Sequence, residues 1–72
     1  MSEGLTPSER TALLTWALVE RRALTAAEAA TIIGMSENRA RRLLNQVSRV
    51  LPIYTERRGR VEVWCILELG EP

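Results

Sequence analysis

Histidine, lysine, aspartate and phenylalanine are missing from the 72 residues, and cysteine occurs once, at Cys65. A lone cysteine excludes an internal disulfide, and without histidine the chain has no material for a structural zinc cluster. No metal and no cofactor are expected. The same gaps leave catalysis little to work with. All nine acidic residues are glutamates, scattered as solvated charges or helix caps, so no acid–base pair or nucleophile relay assembles from them. There is no glycine-rich phosphate loop. An enzyme is not expected, and no small-molecule ligand is indicated. No apolar run approaches the roughly 20 residues that span a bilayer, and Met1-Ser2-Glu3-Gly4 lacks the basic region of a signal peptide. A cytoplasmic protein with a reduced thiol and no membrane contact is the expectation.

What is present is a small chain with an uneven charge distribution. Seventy-two residues suffice for one domain, with a core over about 7–67 and short polar tails over Met1–Leu5 and Glu68–Pro72. A domain of this size buries only about 60% of the surface its unfolded chain exposes, so its stability is a few kcal/mol. Net charge is +1, but between Ser36 and Arg60 seven arginines stand against two glutamates, giving +5, and the remainder carries −4. A basic half of this kind suits a polyanion, because neutralised phosphates release condensed counterions.

Thr6-Pro7-Ser8-Glu9 has the form of a helix start, with Thr6 as N-cap, Pro7 at the first helical position and Glu9 closing a capping box. A helix follows to about Arg22. Leu13, Leu14, Ala17 and Leu18 form its core stripe, and Ala12, Trp16 and Val19 a second apolar stripe. Ala23-Leu24 is short and semi-extended, with room for a strand of one or two residues. Thr25-Ala26-Ala27-Glu28 is another capping box, opening an alanine-rich helix to Ile33, and Gly34 occupies the left-handed position after it. Ser36 caps a third helix reaching Val50 or Leu51, where Pro52 stops it. Beyond Pro52 the apolar period changes from about 3.6 to 2, and the runs Ile53–Arg57 and Arg60–Leu67 predict a β-hairpin around Arg58-Gly59. The fold class is therefore α+β, mostly α: three helices followed by a hairpin.

A helix-turn-helix needs small residues where its helices touch, a residue tolerant of positive φ in the turn, and apolar anchors on both sides. Ala30, Gly34 and the set Ala29, Ile33, Met35, Ala40 and Leu43 meet these needs. On the third helix Ala40, Leu43, Leu44, Val47 and Leu51 share one face, while Asn38, Arg42, Asn45 and Arg49 lie opposite, flanked by Arg41 on one side and Arg39 and Gln46 on the other. An ordinary solvated face would mix both signs of charge for pairing; here no glutamate follows Glu37. Arginine pairs bidentately with guanine, and asparagine or glutamine with adenine, in the major groove. Asn38, Arg41, Arg42 and Asn45 are thus the candidate base readers, and Ser36, Arg39 and Arg49 candidate contacts to the DNA backbone. Arg57, Arg58 and Arg60 join them on the hairpin, as a tip suited to phosphates or an adjacent minor groove. Trp16 and Trp64 read as core between the first helix and the sheet; the alternative for Trp16, with Ala12 and Val19, is a self-complementary patch that pairs two copies. Cys65 reads as buried and inert.

Helix, short strand, helix, turn, helix and hairpin together resemble the winged helix-turn-helix superfamily. The stretch Leu24-Thr25-Ala26-Ala27-Glu28-Ala29-Ala30, continued by Ile33-Gly34-Met35-Ser36-Glu37-Asn38-Arg39-Ala40 and Arg41-Arg42-Leu43-Leu44, is similar to the N-terminal DNA-binding domains of DeoR-type bacterial regulators. The resemblance covers roughly Pro7 to Leu67. It implies double-stranded DNA as partner, helix 36–51 in the major groove, residues 57–60 as the wing, and a small prokaryotic or phage transcriptional regulator. It stops after the wing, so the sugar-phosphate sensing of those repressors is not implied. Two other uses of the fold are a protein-interaction module whose arginine face meets an acidic partner, and an architectural factor that bends or bridges DNA during excision or partition.

Overall fold

A computed structural model describes residues 4–67 of the chain. The tail expected over Glu68–Pro72, and the first three residues of the one expected over Met1–Leu5, lie outside the described residues. The first helix, α1 (Pro7–Arg21), begins as its sequence dictates: the Thr6 hydroxyl accepts from the Glu9 N–H at 3.1 Å, and the Glu9 carboxylate accepts from the Thr6 N–H at 2.9 Å. Two amides without helical partners are satisfied reciprocally. At the far end Arg22 adopts φ 70° and ψ −20° and donates its N–H to the Leu18 carbonyl, which ends the helix and redirects the chain.

The short strand expected at Ala23-Leu24 is present as β1 (Ala23–Thr25), one residue longer and hydrogen-bonded into a sheet. Thr25 is both its last residue and the N-cap of α2 (Ala26–Ile33), closing a second capping box with Glu28. At the end of α2, Gly34 takes φ 70° and ψ 44°, and the amides of Gly34 and Met35 both donate to the Ala30 carbonyl. Ser36 then caps α3 (Glu37–Val47) by accepting from the Arg39 N–H at 3.2 Å. This helix stops about one turn short of the expected Val50 or Leu51. The Ser48 hydroxyl donates to the Asn45 carbonyl at 2.7 Å, and the amides of Arg49 and Val50 reach back only three residues, to Gln46 and Val47. Serine offers the backbone a local alternative to the helix, and Pro52 forbids its continuation.

Strands β2 (Ile53–Arg58) and β3 (Val61–Ile66) form the hairpin, and β3 also pairs with β1, giving an antiparallel sheet of order β1-β3-β2. The turn is Gly59-Arg60 between the paired residues Arg58 and Val61, one position later than expected. Only Gly59 has positive φ there, at 66°, as a two-residue type II′ turn requires, and that geometry demands glycine at the first turn position.

The core joins Leu14, Ala17 and Leu18 of α1, Leu24 of β1, Ala26, Ala29 and Ile33 of α2, Ala40, Leu44 and Val47 of α3, and Trp64 of β3. Alanines at the contacts let the helices approach closely around Trp64, the largest core side chain at 2% exposure. Trp16, by contrast, is 61% exposed, so the expectation that it fills the core is wrong. It stands two positions from both Leu14 and Leu18, about 200° around the helix, while those leucines already occupy the buried face. No helix of the described residues is long and apolar enough to cross a membrane.

The left-handed backbone at Gly34 makes a simple prediction. Gly34→Ala should cost about 1 kcal/mol and lower Tm by about 4–8 °C in a thermal melt followed by circular dichroism. Leu44→Ala, at a fully buried site, should cost about 2–5 kcal/mol and leave most of the chain unfolded, since a core this small supplies only about 3–5 kcal/mol in total.

Candidate nucleic-acid interface

The helix that presents the polar row is held by its opposite side. Ala40, Leu44 and Val47 are buried and Leu43 half-buried, while Asn38, Arg42 and Asn45 are exposed. The spacing i, i+4, i+7 places these three on one face. Arg41, beside them, is half-buried: it donates to the Asn38 side-chain oxygen at 3.2 Å and meets the Glu37 carboxylate at 3.5 Å. An exposed pair of this kind contributes only about 0.3–0.5 kcal/mol, so a stronger acceptor can displace it. Arg49 does not continue the row along the helix, because α3 ends at Val47 and Arg49 lies in the following turn.

The three hairpin arginines do not share a tip. Successive side chains of a strand point to opposite faces, so Arg57 lies on the helix-facing side, directly across from Glu62, and Arg58 on the outer side with Tyr54 and Glu56. Arg58 donates Nε to the Glu56 carboxylate at 2.6 Å, and this hydrogen bond, followed by the carboxylate charge, raises its pKa further. Cys65, opposite Tyr54 in the register, is buried on the same outer face and pushes the Tyr54 phenol up. Only Arg60 is in the turn itself. The expectation of a compact three-arginine tip fails because the strand runs through Arg57 and Arg58.

Both glutamates of the basic segment are thereby spoken for, Glu37 by Arg41 and Glu56 by Arg58. Arg39, Arg42, Arg49, Arg57 and Arg60 make no ion pair among the described residues. Two grooves flank α3 and differ in charge. On the hairpin side, a groove of about 340 Å³ is lined by Arg41 and Arg60 but also by Glu37 and Glu62, over Ala26 and Trp64. On the α1 side, a groove of about 310 Å³ is lined by Arg10, Arg39, Arg42 and Gln46 over Met35 and Leu43, with no carboxylate.

Sequence reasoning missed Arg10, which it counted with the anionic half of the chain. A signal was available. Arg10 precedes Leu14 by four residues and Ala17 by seven, so it prolongs the buried stripe of α1 toward its N-terminus. A cation on a core stripe is anomalous unless its head emerges beside something that needs it.

Ala12, Trp16 and Val19 are exposed along the outside of α1, with Val19 at 50%. Val19 also borders Ile66 and Leu67 at the end of β3, extending the apolar surface past the helix. No cluster of three or more histidine, cysteine or acidic side chains suited to a metal occurs among the described residues. The chain matches no protein-family model and no characterised protein.

Proposed function

We propose that this chain is a winged helix-turn-helix domain that binds double-stranded DNA sequence-specifically, as a small transcriptional regulator of prokaryotic or phage type. The observation that carries the reading is the row Asn38, Arg42, Asn45: exposed, free of carboxylates after Glu37, and on a helix whose other face is fixed in the core. From Asn38 to Asn45 the helix rises about 10 Å, which matches about three base-pair steps of 3.4 Å. In the complex α3 enters the major groove. Arg42 donates both arms of its guanidinium to a guanine, Asn38 and Asn45 address adenines, and Arg41 exchanges its exposed partners for a base edge.

Anchoring falls to the surroundings of that helix. The Ser36 hydroxyl already serves the Arg39 N–H, which leaves the N–H groups of Glu37 and Asn38 at the helix start to meet a phosphate. Arg39, Arg49, Arg57 and Arg60 contact the backbone. Two copies pair through Ala12, Trp16 and Val19. One such domain covers only about 600–1,000 Å² of DNA, so occupancy of two half-sites sharpens specificity. A stable interface buries about 800 Å² per partner; three side chains on two helical turns supply much less, so the pair forms on adjacent half-sites and only weakly in free solution.

Titration of duplexes selected from a random pool tests this. With about five phosphates neutralised per protomer, log K against log salt should have a slope near −4.5; a salt-independent affinity, or capture of an acidic protein with no duplex bound at low salt, would replace DNA by a protein partner. Arg42→Ala should cost about 1–3 kcal/mol and relax preference at one base pair, whereas Arg60→Ala should weaken all sequences alike. Identical specificity profiles for the two variants would remove the division between reading and anchoring. Trp16→Glu should leave binding to one half-site intact and abolish the gain from a second; an unchanged two-site isotherm would exclude pairing through α1.

A further inference from the structure

Among the described residues, the groove between α1 and α3 brings three arginines together with no carboxylate in its lining. Arg10 comes from α1, and Arg39 and Arg42 stand three residues apart on neighbouring turns of α3. None of the three side chains makes a hydrogen bond or ion pair with the described residues, and Arg10 Nε is buried with no acceptor. A buried donor left in that state is costly unless an acceptor enters. The lining offers almost none. The Thr11 hydroxyl is turned into its own helix, donating to the Pro7 carbonyl at 3.0 Å, and the Gln46 amide is the remaining neutral polar group. The groove of similar size on the hairpin side balances two arginines with two glutamates, although the indole N–H of Trp64, which also lines it, is likewise buried without a partner.

We infer that this groove is a phosphate site, in which Arg10 and Arg39 hold one phosphodiester of the duplex on the side of α3 away from the wing, beside the base-reading Arg42. The inference rests on the DNA-binding reading and adds a residue and a geometry to it. Guanidinium forks reaching in from two helices, Arg10 on α1 and Arg39 on α3, suit an acceptor with several oxygens distributed in space, rather than the flat pair of a carboxylate. The groove is larger than one phosphate, and its floor of Met35, Leu43 and Pro7 is apolar, as the face of a deoxyribose requires. A helix lying in the major groove, about 12 Å wide, has a phosphate strand on each side. The wing addresses one strand and Arg10 the other, so α3 is clamped laterally and Arg42 is held at the boundary between base and backbone.

The test compares wild type, Arg10→Gln, Arg39→Gln and, as a charge control away from the groove, Arg21→Gln, each checked for folding by a circular dichroism melt. Duplex binding is measured from 50 to 200 mM salt, and inorganic phosphate is titrated separately while backbone amides are followed by NMR. Arg10→Gln and Arg39→Gln should each reduce the salt slope by about 1 and weaken duplex binding about tenfold at 0.1 M salt, with Arg21→Gln unchanged. Inorganic phosphate should shift the amides of Thr11 and Leu43 in wild type and not in Arg10→Gln. Folded Arg10→Gln and Arg39→Gln proteins with wild-type slope and affinity would overturn the inference and leave DNA binding standing. If wild type binds no duplex, the DNA reading fails; phosphate-induced shifts at Thr11 and Leu43 would then keep the groove as a site for free phosphate, and their absence would remove it too. Should Arg10→Gln fail to fold, the phosphate titration of Arg39→Gln, whose side chain is exposed, decides: loss of the Thr11 and Leu43 shifts supports the site and their persistence overturns it.

Discussion

At Gly34 the chain adopts φ 70° and ψ 44°, a conformation that a side chain beyond Cα makes costly, and the amides of Gly34 and Met35 close on the Ala30 carbonyl. That turn sets the direction in which α3 leaves α2. Ala29 and Ala40, both fully buried, then let the two helices approach without a large side chain between them. With the direction fixed, Leu44 and Val47 are driven into the core and Asn38, Arg42 and Asn45 onto the surface. The exposed polar row is thus a consequence of a backbone constraint more than of its own chemistry: α3 cannot rotate without pulling three apolar anchors into water.

The same rigidity gives the charges their meaning. Arginine side chains on a free helix would be screened and mobile, and pairs with nearby glutamates would contribute little. Packed against α2 and α1, and facing the hairpin across a groove, α3 instead divides its arginines between two environments. Those facing the wing meet Glu37 and Glu62; those facing α1 meet only Arg10. Net charge alone hides this asymmetry, because +1 for the whole chain and +5 for residues 36–60 are both silent about which guanidiniums share a groove.

Much of the architecture is legible in the residues because the signals are local. Thr6 with Glu9 and Thr25 with Glu28 form the two capping boxes their spacing implies, Ser36 caps α3, and Gly34 takes the left-handed conformation. The errors are instructive for the opposite reason. The end of α3 moved to Val47 because the Ser48 hydroxyl competes for a backbone carbonyl, a contest that propensity leaves nearly balanced. The hairpin turn moved by one residue, and since strand side chains alternate, that shift sent Arg57 and Arg58 to opposite faces and dissolved the three-arginine tip. Trp16 looked like core because it is large and apolar, yet its position opposite the Leu14 and Leu18 face leaves it in solvent.

Helix starts, the glycine turn, the polar row on α3 and the strand character after Pro52 follow from the order of residues, because caps, dihedral preferences and apolar periods act over four residues or fewer. Which strand becomes central, which of two apolar faces of α1 is covered, and which arginines end up beside one another follow only from the packed fold. Those outcomes depend on β3 pairing with both β1 and β2 and on α1 lying against α3, contacts between residues tens of positions apart whose geometry no local preference encodes. Arg10 shows the difference most plainly: an unremarked cation in the acidic half of the chain becomes, once folded, the third arginine of a groove whose lining holds no carboxylate.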